Sequence, residues 1–353
     1  MNLSKNNQSK ESIGKIVWRC PSNIAIVKYW GKKGNQIPCN SSVSMTLSKS
    51  FTEIELSLSE KKTDEKISLN YFFEGKKNVP FEERVRKYLS DQYKYFPFLK
   101  NYALEFKSHN SFPHSAGIAS SASAFGAIAL SLLDVSRGLR KQTINEDFFK
   151  KASEMARLGS GSACRSIFGE FALWGKNNSI SGSDNRFAIL LEEIHENFRN
   201  FNDSILIIEN EPKKVSSSAG HSLMNEHPYA KNRFLQANNR SFHLKNVLKT
   251  GDFEEFITIA ESEALTLHAM MMTSRDYYLL IKPGTLIAIE KIMAFRKETK
   301  IPVCFTLDAG PNVHVLYPAS EKNKVEIFLN NMFKNSVKEI IFDQMGKGPE
   351  KIR

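Results

Sequence analysis

The segment Pro113-His114-Ser115-Ala116-Gly117-Ile118-Ala119-Ser120-Ser121-Ala122-Ser123 holds the residue types most suited to anion chemistry in the chain. Small side chains let the backbone approach a ligand, and Gly117 can take dihedrals closed to other residues. Hydroxyls at Ser120, Ser121 and Ser123 stand beside the free amides that open a helix, which together can cradle a phosphate. The helix dipole adds only about 0.3–1 kcal/mol for an anion, so hydrogen bonds must supply most of the grip. The same residues also suit a Ser/Ala-rich turn with an ordinary helix cap. The chain has no GxxxxGK[ST] loop and no strand-coupled GxGxxG. Asp308, in the turn Asp308-Ala309-Gly310-Pro311-Asn312, can point a carboxylate into a cleft or serve the turn itself. Arg165 follows a Gly/Ser turn and Lys28 an apolar run; each could hold an anion or remain at a solvated surface. His109, His114, His221 and His314 show no metal-ligand spacing. Met270–Met272 after His268 suit core packing better than metal or redox chemistry.

The elements that must position these groups are legible in the apolar periodicity. Lys15–Cys20 reads as a strand, closed by a polar turn at Pro21–Asn23. Thr52–Leu58 alternates with period two, and Ile67, Leu69 and Tyr71 repeat the pattern, so a hairpin between them is expected. Tyr102, Leu104 and Phe106 form a strand leading into the Pro113 loop. Ser121–Val135 is a buried helix opening on that loop. Thr143 and Glu146 form a capping-box pattern for a helix ending at Gly159. Beyond it come a strand at Ile205–Ile208 and helices at Arg233–Val247, Asp252–Leu267 and Pro283–Glu298. Strands at Val303–Leu307 and Val313–Tyr317 flank the Asp308 turn. Hairpins mixed with helices, without regular βαβ alternation, indicate an α+β fold.

Size and composition set wider bounds. A chain of 353 residues with 41% hydrophobic residues can bury one large or two tightly packed domains. The expected division is a flexible tail at 1–14, a first domain at 15–200 and a second at 201–353. No apolar run approaches the about 20 residues of a membrane-spanning helix, and the polar tail is not a signal peptide. Cys20, Cys39, Cys164 and Cys304 are scattered, so free thiols and a cytoplasmic location are expected. The net charge of +11 fits nucleic acid, an anionic membrane or phosphorylated small molecules. Nucleic-acid binding predicts clustered Lys/Arg with interleaved aromatics, and the lysines here are spread along the chain.

Five segments carry a family resemblance. SFPHSAGIASSASAF around the Pro113 loop resembles the PxxxGLxSSAS phosphate loop of the GHMP kinase superfamily, and its wording is closest to the mevalonate diphosphate decarboxylase family. Asn23–Lys32 (NIAIVKYWGK) resembles that family's NIAxxKYWGK, and Pro38–Leu47 its PxNSSxSxTL. Arg157–Ser166 resembles its RxGSGSACRS, and Thr306–Asn312 its TxDAGPN.

The resemblance implies a two-lobed fold: a ribosomal protein S5 domain 2-like N-terminal lobe and a ferredoxin-like C-terminal lobe, with the active-site cleft between them. It implies ATP-dependent decarboxylation of mevalonate 5-diphosphate to isopentenyl diphosphate, ADP, phosphate and CO2. Asp308 would deprotonate the 3-hydroxyl. Lys28 would place positive charge beside it and keep it ionised, and Arg165 would hold the substrate carboxylate. Tyr29, Lys32, Arg84, Ser160, Ser162 and Ser217 match substrate positions, with Lys214–Ser217 near the diphosphate. Ser115, Gly117, Ser120, Ser121 and Ser123 fall to ATP, and Ser121 to Mg2+, which commonly keeps waters and substrate oxygens as its other ligands. A homodimer is also implied. Three departures stand out: Lys33-Gly34 in place of Arg-Asp, Glu170 where a small residue, usually Gly, is expected, and Ser218 where some relatives carry arginine. A mevalonate 5-phosphate decarboxylase or a mevalonate 3-kinase of the same family are the alternatives, the choice between one phosphate and two resting on a few interchangeable donors.

Overall fold

Alternation of buried and part-exposed side chains along Thr52–Ser59 makes half of a long strand that organises the first lobe. The computed structural model describes residues 14–113, 118–209 and 217–353, with the backbone alone at 217–219. Strands are β1 (Gly14–Val27), β2 (Ser42–Glu60), β3 (Leu69–Phe73), β4 (Lys76–Lys77), β5 (Tyr102–Asn110), β6 (Phe171–Trp174), β7 (Ala188–Leu190), β8 (Asn202–Ile207), β9 (Cys304–Leu307), β10 (Val313–Tyr317), β11 (Glu339–Gln344) and β12 (Glu350–Lys351). Helices are α1 (Val79–Asp91), α2 (Ser120–Gly138), α3 (Glu146–Gly159), α4 (Ser217–Ser222), α5 (Ala230–Thr250), α6 (Phe253–Met272), α7 (Pro283–Thr299) and α8 (Lys322–Phe333). The fold is α+β and two-lobed.

The first sheet runs β12-β1-β2-β5-β3-β4, with β6 and β7 continuing from the start of β2. The turn expected at Pro21–Asn23 is instead a bulge inside β1, where the register against β2 shifts between Pro21 and Asn23. Proline has no N–H to give the ladder, and a bulge absorbs that loss without ending the strand. The expected hairpin between Thr52–Leu58 and Ile67–Tyr71 does not form. Leu69–Phe73 pairs in parallel with β5, which lies between it and β2. The cap of α3 also differs: Asn145, not Thr143, is the N-cap, its Oδ1 accepting the Phe148 N–H at 3.1 Å. Strand β1 begins at Gly14, and the remainder of the expected tail lies outside the described residues.

In the second lobe the strand order is β11-β8-β10-β9, antiparallel throughout. Helices α5, α6 and α7 connect β8 to β9, and α8 connects β10 to β11. That is the split βαβ arrangement of a ferredoxin-like unit. The expected division at residue 200 falls between β7 and β8, while β12 returns to pair with β1.

One apolar core, with Trp18, Leu56, Phe106, Phe125 and Phe148, lies between the first sheet and α1–α3. Another joins Ile24, Val43 and Phe171 of the first lobe to Phe201, Ile205, Leu244 and Phe256 of the second. The inner ends of β1 and β2 are thereby held against the C-terminal lobe, which brings the chain after Val27 close to the β9–β10 turn.

Candidate active site

A cavity of about 530 Å3 lies at this junction. The chain just after β1 supplies Lys28, Tyr29, Trp30 and Lys32, α1 supplies Arg84, and the start of α2 supplies Ser120 and Ser121. The turn after α3 adds Ser160, Ser162 and Arg165, and the β9–β10 turn adds Asp308 and Ala309. Ten residues expected in the site therefore share one space: Lys28, Tyr29, Lys32, Arg84, Ser120, Ser121, Ser160, Ser162, Arg165 and Asp308.

Lys28 is buried, and neutral oxygens hold its ammonium: Nζ donates to the Ala25 carbonyl at 2.5 Å and to Thr306 Oγ1 at 2.8 Å. Burial pulls its pKa down from 10.5 to about 8, opposed by the charges of Asp308 and Glu263 and reinforced by Arg165 and Arg233. Its backbone N–H donates to Glu263 Oε2 at 2.9 Å. Glu263 is itself fully buried and takes Arg233 at 2.5 and 2.9 Å and Arg240 at 2.9 Å. This carboxylate ties α5 and α6 to the backbone of Lys28.

Arg165 is buried too. Its Nε donates to Ser44 Oγ at 2.9 Å and Nη1 to Ser42 Oγ at 2.7 Å, which leaves Nη2 for the cavity. Burial lowers its pKa, against the pull of Cys164, Tyr29 and Asp308. Two buried cations with neutral hydrogen-bond partners are costly unless an anion joins them. Lys32, which donates to Gln36 Oε1 at 3.0 Å, and Arg84, over the Phe125 ring at 4.8 Å, add positive charge to the same cavity. Asp308 is the acidic group that both Lys28 and Arg165 feel.

Tyr29 packs between Trp174 and His221, with ring centroids at 4.7 and 4.3 Å, and its buried hydroxyl has no partner among the described residues. A side chain at Gly161 would stand 2.7 Å from that hydroxyl, so glycine is needed for the close approach. The first turn of α2 opens on the cavity without a side-chain cap, after Ala119 at φ +44°. The Ser121 and Ser160 hydroxyls meet at 3.2 Å.

Ser123 does not face the cavity. Its fully buried hydroxyl meets Thr52 Oγ1 at 2.6 Å and donates to the Ser120 carbonyl at 3.1 Å, pinning α2 to β2. Two residues beyond Ser121 is more than half a helical turn, which puts Ser123 on the opposite side of α2 from the Ser121 hydroxyl. Ser115 and Gly117 lie outside the described residues, as does the side chain of Ser217. Among the described residues no group of three His, Cys, Asp or Glu side chains could hold a metal. A magnesium ion bound mainly by phosphate oxygens and water fits such a site, because it asks for few protein donors.

Asn23, Trp30, Gln36 and His221 also line the cavity, though the sequence pattern does not assign them to it. Their family-like setting is the one available signal for the first two. Met270 and Met271 pack with Trp30, Leu267 and Ala309 behind the site, and His268 Nε2 lies 3.1 Å from the Asp308 carbonyl oxygen.

Residues 20–188 match the diphosphomevalonate decarboxylase-like N-terminal domain, and residues 204–351 the mevalonate 5-diphosphate decarboxylase C-terminal domain. The chain is 31% identical over 326 residues to the diphosphomevalonate decarboxylase of Ganoderma lucidum, covering 86% of this chain and 78% of that one. Against the Debaryomyces hansenii protein of the same name it is 30% identical over 322 residues, covering 86% and 80%. The crystal structure of mevalonate diphosphate decarboxylase from Staphylococcus aureus superposes with a TM-score of 0.83 at 29% identity, over 96% of this chain and 98% of that one. A structure of MDDEF in complex with MVAPP, AMPPCP and magnesium does so with a TM-score of 0.82 at 28% identity, over 96% and 99%.

Proposed function

Because the chain belongs to the diphosphomevalonate decarboxylase family, we propose that Asp308, Lys28 and Arg165 carry its reaction in the cavity between the lobes. That reaction is the ATP-dependent decarboxylation of mevalonate 5-diphosphate. The carrying observation is the convergence of these three side chains, from segments about 140 residues apart along the chain, on one strongly cationic cavity.

Asp308 accepts the proton of the tertiary 3-hydroxyl as its oxygen attacks the γ-phosphorus of ATP and ADP departs. Lys28 offsets the charge of the transferring phosphoryl group, a role its burial beside the charge of Asp308 supports. Phosphate then leaves carbon 3, the bond to the carboxylate carbon supplies the electrons of the new double bond, and CO2 is released. Arg165, with Nη2 presented to the cavity, holds the carboxylate until that bond breaks. Tyr29, Lys32, Arg84, Ser160, Ser162 and Ser217 bind the phosphorylated end of the substrate. The ATP phosphates are assigned to the start of α2 and the loop before it, through Ser120, Ser121, Ser115 and Gly117. Ser121 would be the protein group to hold magnesium, which would supply charge neutralisation on the phosphates. The same reading takes the enzyme as cytoplasmic and homodimeric. Four free thiols suit a reducing compartment, and exposed Leu235, Phe242, Leu286 and Ile287 supply apolar surface for an interface.

The test is a coupled assay of purified protein with ATP, Mg2+ and mevalonate 5-diphosphate, run beside the 5-phosphate. CO2 and ADP should appear in equal amounts, with preference for the diphosphate. ADP without CO2 would make the protein a 3-kinase, and a clear preference for the monophosphate would displace the diphosphate as substrate.

A further inference from the structure

His221 sits on α4 at the edge of the cavity, 6% exposed, its ring packed at a tilt with centroids 4.3 Å from Tyr29 and 4.8 Å from Trp30. Its Nδ1 lies 2.9 Å from the backbone nitrogen of Gly31. A backbone N–H can only donate, so Nδ1 is the acceptor and carries no proton. In a neutral ring the proton is then on Nε2, which has no partner among the described residues. An N–H on a ring that lines the cavity, without an acceptor among the described residues, is a donor open to a ligand. Burial, with the positive charges of Lys32 and Arg165, drives the ring's pKa down to about 3 against the pull of Asp308, so the ring is neutral at any working pH. Those same charges locate it among the cations that take the anionic substrate and the carboxylate that takes its proton.

We propose that His221 is a specificity-determining residue whose Nε2–H donates to a phosphate oxygen of the bound substrate beside Lys32. The inference rests on the reading of the cavity given above and extends it to a residue outside the Asp308, Lys28 and Arg165 set. Such a donor costs no charge in a cavity already crowded with cations. It also discriminates, because a ligand with no acceptor there leaves a buried N–H unpaired.

Two substitutions separate the two ring nitrogens. In His221→Asn the amide oxygen can replace Nδ1 as acceptor for Gly31 while the Nε2–H is lost. In His221→Gln the longer amide can return an N–H to the Nε2 position while the bond to Gly31 is lost. Binding of mevalonate 5-diphosphate without nucleotide, measured by titration calorimetry, should weaken about tenfold or more in the Asn variant and by no more than about threefold in the Gln variant. In turnover the Asn variant should raise KM while kcat changes little. Wild-type affinity in the Asn variant would overturn the assignment, and so would a Gln variant as weak as Asn, which would mark the ring as packing only. A wild type that binds no mevalonate 5-diphosphate would instead remove the underlying reading of the cavity. Independently of any variant, long-range 1H–15N correlation of the wild-type imidazole should show Nε2 protonated and Nδ1 bare; the reverse pattern overturns the proposal.

Discussion

Raising the pH should switch off catalysis by uncharging one buried lysine. Lys28 titrates near 8 instead of 10.5, chiefly because burial disfavours its ammonium. If its charge stabilises the transferring phosphoryl group, kcat/KM should be level below about pH 7 and then fall about tenfold per pH unit above 8. At pH 9 roughly a tenth of the molecules retain the charge. Arginine keeps its proton throughout this range, so Lys28→Arg should lower the rate through altered geometry while removing the alkaline fall.

Neighbouring groups titrate elsewhere. Burial pushes Cys164 up to about 12 and Tyr29 further still, and holds His221 near 3. Lys32 is lowered as well, by burial and by Arg84, which is why the Lys28→Arg comparison decides rather than the profile alone. Unfolding can be separated by sign. Between pH 8 and 10.5 the unfolded lysine binds more protons than the folded one, so this group's contribution to stability rises with pH over that window. Below pH 8 its charged burial costs on the order of 3 kcal/mol, a cost relieved as the proton leaves. Rate and stability from Lys28 therefore move in opposite directions. A kcat/KM profile flat to pH 10, or an alkaline fall retained in Lys28→Arg, refutes the role of its charge.

Asp308→Asn keeps the shape of the turn and removes the proton acceptor; kcat should fall about 10^2- to 10^4-fold with ATP binding retained by fluorescence titration, and near-normal turnover would take Asp308 out of the chemistry. Glu263→Gln leaves Arg233 and Arg240 without their shared carboxylate, so urea unfolding should show a loss of about 3–5 kcal/mol. Because Glu263 also favours the charged form of Lys28, the alkaline limb should move to lower pH in the same variant, and an unmoved limb would show that the two are not coupled. Glu170 has φ +51°, where a side chain crowds the backbone; Glu170→Gly should gain about 1 kcal/mol in the same unfolding assay, and a loss would show that the side chain makes stabilising contacts.

Glu170 also illustrates how far a sequence specifies its structure. The family pattern favours a small residue there, and the left-handed backbone supplies the reason: the position hydrogen-bonds to both Gly346 and Thr46 through its main chain, so its dihedrals are dictated by two distant segments. Roles that follow from local pattern are legible in the chain. Period two marks β2 and β5, and the Ala/Leu-rich run marks α2; Lys28, Arg165 and Asp308, each open to a surface or turn reading alone, are singled out only by the family-like segments that hold them. Roles that follow from a partner far along the chain are not. The strand at Leu69 alternates as a hairpin arm would, and nothing local says that β5 takes the place beside β2. Helix α1 escapes pattern reading because only Glu82, Val85, Tyr88 and Leu89 of its charged sequence are buried, too narrow a stripe to read as a helical face. Ser123 looks like its neighbours in the loop until Thr52 claims its hydroxyl. His221 offers no ligand spacing, since what makes it chemically distinctive is one backbone N–H from a residue 190 positions earlier. The reaction constrains residue type at its own atoms and leaves the supporting contacts free, so substrate selection, which depends on those contacts, is the property least readable from the chain.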